Sequence, residues 1–263
     1  MNTHLFLIDP QNDFMDPVNG SLFVAGAQDD AKRISKLIKK VGKTWEDIHV
    51  TLDTHHRFDI AHPIFWLDEH GKHPGIFTLI TLDEFNKGKW KAACPNMQDY
   101  ARYYLETLEK NNRYALCVWP PHCIIGTPGH NVQPDIMDAL ADWESTPGWM
   151  VDFVTKGSNF KTEHYSGVRA DVPDPEDSST MINGELIQIL EAADEILIAG
   201  EASSHCVANT VRDVANEFGA DSVKKLVFLE DCSSPVTGFE AMAEDFIKEL
   251  TSKGMQLRKS TDY

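Results

Sequence analysis

The stretch Glu195–Ala208, EILIAGEASSHCVA, holds the turn from which the fold can be read. Ile196–Ala199 is a short apolar run without polar alternation, as in a strand covered on both faces of a parallel sheet. Gly200 ends it, the small and polar residues Ala202, Ser203 and Ser204 follow, and a helical period runs from His205 to Phe218. Strand, tight turn and helix in that order make a βα unit. Cys206 would then sit in the first helical turn, where unpaired N–H groups and the positive dipole end favour a thiolate. Position alone leaves two readings open: a buried, inert thiol that packs the helix on the sheet, or a reactive one.

Working outward, the same alternation recurs. Strands are expected at His4–Asp9, Ile48–Asp53, Tyr114–Trp119, Met150–Thr155, Glu195–Gly200 and Lys225–Glu230. Helices are expected at Gln28–Val41, Met97–Leu108, Asp135–Trp143, Thr180–Ala192, His205–Phe218 and Phe239–Leu250. The pattern predicts an α/β fold, a three-layer αβα sandwich around a six-stranded, mostly parallel sheet with right-handed crossovers. Residues 1–263 read as a single domain without internal repeats. The segment from Pro63 to Arg113 is too long for a minimal connection and reads as an insertion, either near the mouth of the sheet or as surface decoration.

Composition narrows the function classes. Lys plus Arg is 24 against 41 Asp plus Glu, a formal net charge of −17, and such a field repels nucleic acid and anionic membrane surfaces. The 5 cysteines are irregularly spaced with no CxxC pair, which argues for a reducing compartment over a disulfide framework. The start, MNTHLFLIDPQNDF, does not read as a signal peptide, and no apolar run approaches the roughly 20 residues of a membrane span. A cytoplasmic protein acting on a small molecule is expected, with homo-oligomerisation left open. No G-x-S-x-G elbow, dinucleotide-type glycine fingerprint or P-loop is present.

In open parallel sheets ligands bind beyond the carboxyl ends of the strands, so the residues at those ends matter most. The expected strands deliver Asp9, then Asp53-Thr54-His55, then Trp119-Pro-Pro-His122, then Lys156, then Cys206. Asp9 and Lys156 each end an apolar run, where an unpaired charge is costly. They could pair with each other, as a simple structural ion pair or beside the thiol as general base and anion stabiliser. Asp53 and His55 lie two apart on a strand and so project on one face, and His122 could join them around a Zn, Fe or Mn ion. His56, His62, His70 and His73 are expected to be solvated, with His62 the best exception. Ala202 and Ser203 are small enough to let backbone N–H groups approach an oxyanion.

The motifs IDPQNDF, WPPHCIIGTPG, TKG with YSG soon after, and AGEASSHCV, in this order, resemble the isochorismatase-like cysteine hydrolases, and within them the nicotinamidases (pyrazinamidases). The resemblance covers most of the chain outside Pro63–Arg113. It implies a catalytic triad of Asp9, Lys156 and Cys206, metal ligation by Asp53, His55 and His122, and an oxyanion hole from the N–H groups of Ala202 and Cys206. It also implies a cis peptide at Glu201–Ala202, and a pyridine site made by Phe14, Trp119, Tyr165 and His205. The implied activity is hydrolysis of nicotinamide to nicotinate and ammonia through a cysteine thioester, feeding NAD salvage, with one divalent metal ion and no organic cofactor. Against the resemblance, the sequence carries Glu201 where many relatives have an apolar residue, and His62 lies further from His55 than the extra histidine of many nicotinamidases. Two alternatives stand beside this reading: a cysteine hydrolase of the same superfamily acting on another small amide or ureido compound, and a non-catalytic scaffold that binds a metal or ligand.

Overall fold

The computed structural model describes residues 1–111, 114–219 and 221–263. The boundary residue Arg113 of the expected insertion lies outside them. In chain order the elements are β1 (Thr3–Ile8), α1 (Asn12–Met15), α2 (Ala27–Val41), β2 (Asp47–Asp53), β3 (Trp66–Asp68), β4 (Leu79–Ile80), α3 (Leu82–Asn86), β5 (Trp90–Ala92) and α4 (Gln98–Lys110). They continue with β6 (Leu116–Cys117), α5 (Pro134–Glu144), β7 (Asp152–Lys156), α6 (Gly184–Ala192), β8 (Glu195–Gly200), α7 (Cys206–Phe218), β9 (Leu226–Leu229), α8 (Glu240–Ser252) and β10 (Gln256–Arg258). None of these helices is long and apolar enough to cross a membrane.

The main sheet has 6 strands in the order β10-β9-β8-β1-β2-β7, and each pairing is parallel. This α/β sandwich is the architecture that the alternating pattern predicts. Helix α2 packs on α5 in one layer, while α7 packs on α6 and α8. From β1 the chain steps outward to β2 and β7, then crosses back to β8 on the other side of β1. The β1/β8 boundary is thus the point where the winding direction reverses, the place such folds use for ligands.

One strand of the sequence reading is corrected. Tyr114–Trp119 does not enter the main sheet: only Leu116 and Cys117 pair, antiparallel, with Ile80 and Leu79. The run is apolar because both its faces are covered. Leu116 and Val118 belong to a small second cluster with Trp66, Phe85 and Tyr104, whereas Cys117 and Trp119 belong to the main core. The sixth strand of the sheet is instead β10, whose residues are exposed or only half-buried and which carries no apolar signature. Most of the second cluster comes from the segment read as an insertion, which also forms the two-stranded ladder β3–β5. Helix α6 starts later than expected because Asn183, not Thr180, caps it: its side chain accepts the Leu186 N–H, and residues 178–180 form a separate 3₁₀ turn.

Candidate active site

Asp9, Lys156 and Cys206 meet at the carboxyl edge of β1, β7 and β8. Lys156 Nζ lies 3.0 Å from Asp9 Oδ2, an ion pair rather than a well-directed hydrogen bond, and 2.9 Å from Asp53 Oδ1. The same ammonium donates to the His164 carbonyl at 2.8 Å and approaches Cys206 Sγ at 3.7 Å. All three charged groups are buried. Burial disfavours the ammonium, but Asp53, Asp9 and Cys206 outweigh it and hold Lys156 well above its ordinary pKa. Burial raises Asp9, assisted by Asp53 and opposed by Lys156 and the Thr51 hydroxyl, so this carboxyl is suited to carrying a proton. Thr51 Oγ1 donates to Asp9 Oδ1 at 2.6 Å and accepts from the Asp9 N–H at 3.0 Å, which fixes the acid at a left-handed φ of 47°.

Cys206 does open α7, but burial pushes its thiol well above the usual range; Lys156 pulls down, and Asp9 and Asp53 push up. Burial thus works against the helix start and Lys156 at this thiol.

Asp53, His55 and His122 form a tight group beside this centre. Asp53 Oδ2 lies 3.1 Å from His55 Nε2 and 3.2 Å from His122 Nε2, and the three ligand atoms fall within 4.8 Å of one another. The far nitrogen of each ring is engaged elsewhere: His55 Nδ1 with Asp59 Oδ2 at 3.0 Å, and His122 Nδ1 with the Pro120 carbonyl at 2.8 Å. That is the outer support expected of imidazoles that turn Nε2 toward a metal. His122 arrives although its segment is no sheet strand, because the loop docks on the end of β2. The His55 N–H donates to the Cys123 carbonyl at 3.0 Å and the Ile125 N–H to the His55 carbonyl at 3.1 Å. Another His/Asp group, His4, Asp47 and His49, lies at the opposite edge. It closes on itself through His4 Nδ1 to His49 Nε2 at 3.0 Å and His49 Nδ1 to Asp152 at 2.9 Å.

Of the remaining histidines, His56, His70 and His73 are exposed, as expected. His62 is buried instead, with its ring 5.1 Å from that of His55 and 5.6 Å from that of His122. Its Nδ1 meets the His56 carbonyl at 3.2 Å, and its Nε2 has no hydrogen-bond partner. Burial first, then His122 and His55, push its pKa down to about 2, so the ring is neutral and its Nε2 lone pair is available.

A small pocket opens onto these groups. Phe14, Trp119, Tyr165, His205, Ala202 and Cys206 line it together with Asp53 and His122. Trp119 Nε1–H donates to the Tyr165 hydroxyl at 2.8 Å, which fixes both rings, and the Trp119 and His205 rings stand at 90° with centroids 5.1 Å apart. A wider cleft over α1 and the loop after His122 touches neither Lys156 nor Cys206. The peptide Glu201–Ala202 is cis, as the resemblance implies. The turn leaves no room at Gly200, where a Cβ would meet the Ile8 carbonyl oxygen at 2.0 Å with φ at +113°.

Four contributors escaped the sequence reading. Gln11 locks the end of β2 by accepting the Asp53 N–H at 2.7 Å and donating to the Asp53 carbonyl at 2.8 Å. Thr51 holds Asp9, Phe239 packs edge-on against His205 at 4.8 Å, and Glu163 lines the pocket with a buried carboxyl that burial raises. Glu163 sits in irregular chain, where no periodicity marks it, and Phe239 reads in the sequence only as the start of a helix. Gln11 lay inside the quoted motif IDPQNDF, but its role is with the backbone and leaves no signature of its own.

No family model matches the chain. The nicotinamidase of Saccharomyces cerevisiae is 25% identical to it over 255 residues, covering 96% of this chain and 97% of that protein. The structure of the yeast nicotinamidase superposes with a TM-score of 0.68 at 21% identity, covering 97% of this chain and 98% of that one. A Pyrococcus horikoshii pyrazinamidase solved in complex with zinc gives 0.56 at 17% identity, covering 98% and 99%. From end to end, then, the chain is similar in sequence to a nicotinamidase and shares the fold of nicotinamidase structures.

Proposed function

We propose that the protein is an amidase that hydrolyses nicotinamide to nicotinate and ammonia, with Cys206 as nucleophile. The observation that carries this reading is Lys156, which meets Asp9, Asp53 and Cys206 at once beside an aromatic pocket that Asp53 and Cys206 line. Asp9 accepts the Cys206 proton, and the sulfur adds to the carboxamide carbon. The N–H groups of Ala202 and Cys206 receive the oxyanion. As the C–N bond breaks, Asp9 passes its proton to the departing nitrogen, and ammonia leaves a thioester. A water then gives a proton to Asp9 and adds to the thioester carbon; the C–S bond breaks, and the proton returns to sulfur. Lys156 keeps Asp9 oriented and its field balanced through both halves. Phe14, Trp119, Tyr165 and His205 form the walls against which a flat heteroaromatic ring stacks.

Asp53, His55 and His122 fit a divalent ion, since each brings one ligand atom into a common cluster, and the Nε2 of His62 is a candidate fourth donor. When bound, the ion supplies a Lewis acid that orients the ring nitrogen; zinc, iron and manganese all suit this donor set. His122→Ala is expected to lower the metal bound per chain by at least about tenfold in affinity, the scale of losing one ligand or its support, checked by elemental analysis after dialysis. We place the activity in NAD salvage in the cytoplasm, a compartment compatible with five free thiols. The reading takes residues 1–263 as one hydrolase domain with residues 63–113 inserted.

The test is ammonia release from nicotinamide, with and without a chelator. Turnover that a chelator suppresses and added zinc, iron or manganese restores is the expected result; no ammonia from nicotinamide would sink the substrate assignment. A second reading, another small amide, is favoured by one contact: Phe77, from the inserted segment, meets Trp119 edge-on at 5.7 Å. A panel of aromatic and aliphatic amides separates the two.

A further inference from the structure

Glu201 lies next to Ala202 and is wholly buried, yet it points away from the pocket toward the start of α2. There it faces Asp30, which is also buried. Two buried carboxylates in contact cannot both ionise. Their surroundings decide which one keeps the charge. Asp30 receives Arg33 Nη2 at 2.6 Å and the Ser234 hydroxyl at 2.5 Å, and sits in the first turn of α2, where the helix dipole favours an anion. Among the described residues, Glu201 accepts only the Ser234 N–H, at 3.1 Å on Oε2, and its Oε1 has no donor. As a carboxylate, Glu201 would strand that oxygen; as an acid, it can turn its proton to Asp30. Burial first and then Asp30 raise its pKa accordingly, against weaker pulls from the Ser234 N–H and Arg33. The remaining titratable groups packed here are Asp231, which accepts Arg33 Nε–H at its carbonyl, and Cys232, itself pushed up by burial.

This acid pair sits behind the turn that carries the oxyanion donors. Ser234 links the two: its N–H holds Glu201, its hydroxyl holds Asp30, and its carbonyl accepts the Ser203 N–H at 2.9 Å. On the other side the Glu201 N–H donates to the Ile8 carbonyl at 2.8 Å, immediately before Asp9. We propose that Glu201 is a positioning residue: as a hydrogen-bond donor to Asp30 it fixes the Gly200–Ser204 turn, and with it the N–H groups of Ala202 and Cys206. The proposal rests on the amidase reading above for its effect on turnover, though not for the pairing itself.

Glu201→Gln preserves the shape and a donor toward Asp30, whereas Glu201→Ala removes both. On nicotinamide, Glu201→Ala is expected to lose kcat by about tenfold or more, toward the roughly 10²–10³ seen when an oxyanion donor is removed, with KM within about twofold. Glu201→Gln should keep kcat within about threefold. Because the folded-state pKa is raised, the stabilising form is complete below the ordinary carboxyl range and is lost as pH rises through the raised value. Wild-type kcat and melting temperature should therefore fall with rising pH in a step that Glu201→Gln lacks and that Asp30→Asn, by removing the like charge, moves to lower pH. Equal loss in Gln and Ala, full kcat in Ala, or the same alkaline step in Glu201→Gln would each overturn the proposal. If wild type releases no ammonia from nicotinamide, the substrate reading falls, and the melting profiles decide this one alone.

Discussion

Cys206→Ser is expected to reduce ammonia release by about four to six orders of magnitude, the scale on which removal of a covalent nucleophile is felt. The hydroxyl keeps the size and hydrogen bonding of the thiol, so the fold should survive and the melting temperature should shift little. What is lost is nucleophilicity. Asp9 can remove a proton from a buried thiol already pushed upward, but a serine hydroxyl is far less acidic still. A rate within about tenfold of wild type, by coupled ammonia assay, would remove Cys206 from the nucleophile position.

The second large effect concerns Lys156, and it is one of stability as well as rate. Lys156→Met keeps the length of the side chain but withdraws the one cation that lies 3.0 Å from Asp9 and 2.9 Å from Asp53. Both acids are buried, and breaking a buried pair from one side typically costs about 3–5 kcal/mol because a charge is left unpaired. A large drop in the urea midpoint is expected together with loss of ammonia release. The drop should shrink as pH is lowered, since protonating Asp9, already raised by burial, relieves the unpaired charge. An unchanged urea midpoint would mean that the ion pair contributes nothing to holding the sheet edge.

Much of the site was legible because each principal group lies at or just past the end of a strand. Asp9, Lys156 and Cys206 each follow an apolar run, and a parallel sheet brings such ends together whatever their distance in sequence. The same rule found Asp53 and His55. It reached His122 through a mistaken strand: Trp119–Cys123 looks like a strand end because the run before it is buried between two clusters, not because it lies in the sheet. The polar edge strand β10 was invisible for the opposite reason, since nothing apolar marks it. The sequence shows the helix start and the lysine but not how deeply Cys206 is buried, and burial is the largest influence on its thiol. Glu201 looked anomalous in the sequence since its partner, Asp30, lies on another element.

The strand order β10-β9-β8-β1-β2-β7 has a consequence for the chain as it is made. The acid emerges before the lysine and the cysteine follows later still, so no contiguous fragment shorter than residues 9–206 holds all three. Contacts this distant in sequence form late, after much of the sheet has closed. A nascent or half-folded chain therefore carries no armed sulfur: Cys206 meets its base only when β1, β7 and β8 are in register. Turnover measured on a refolding sample would count completed molecules alone, and it should lag behind any spectroscopic signal of helix formation.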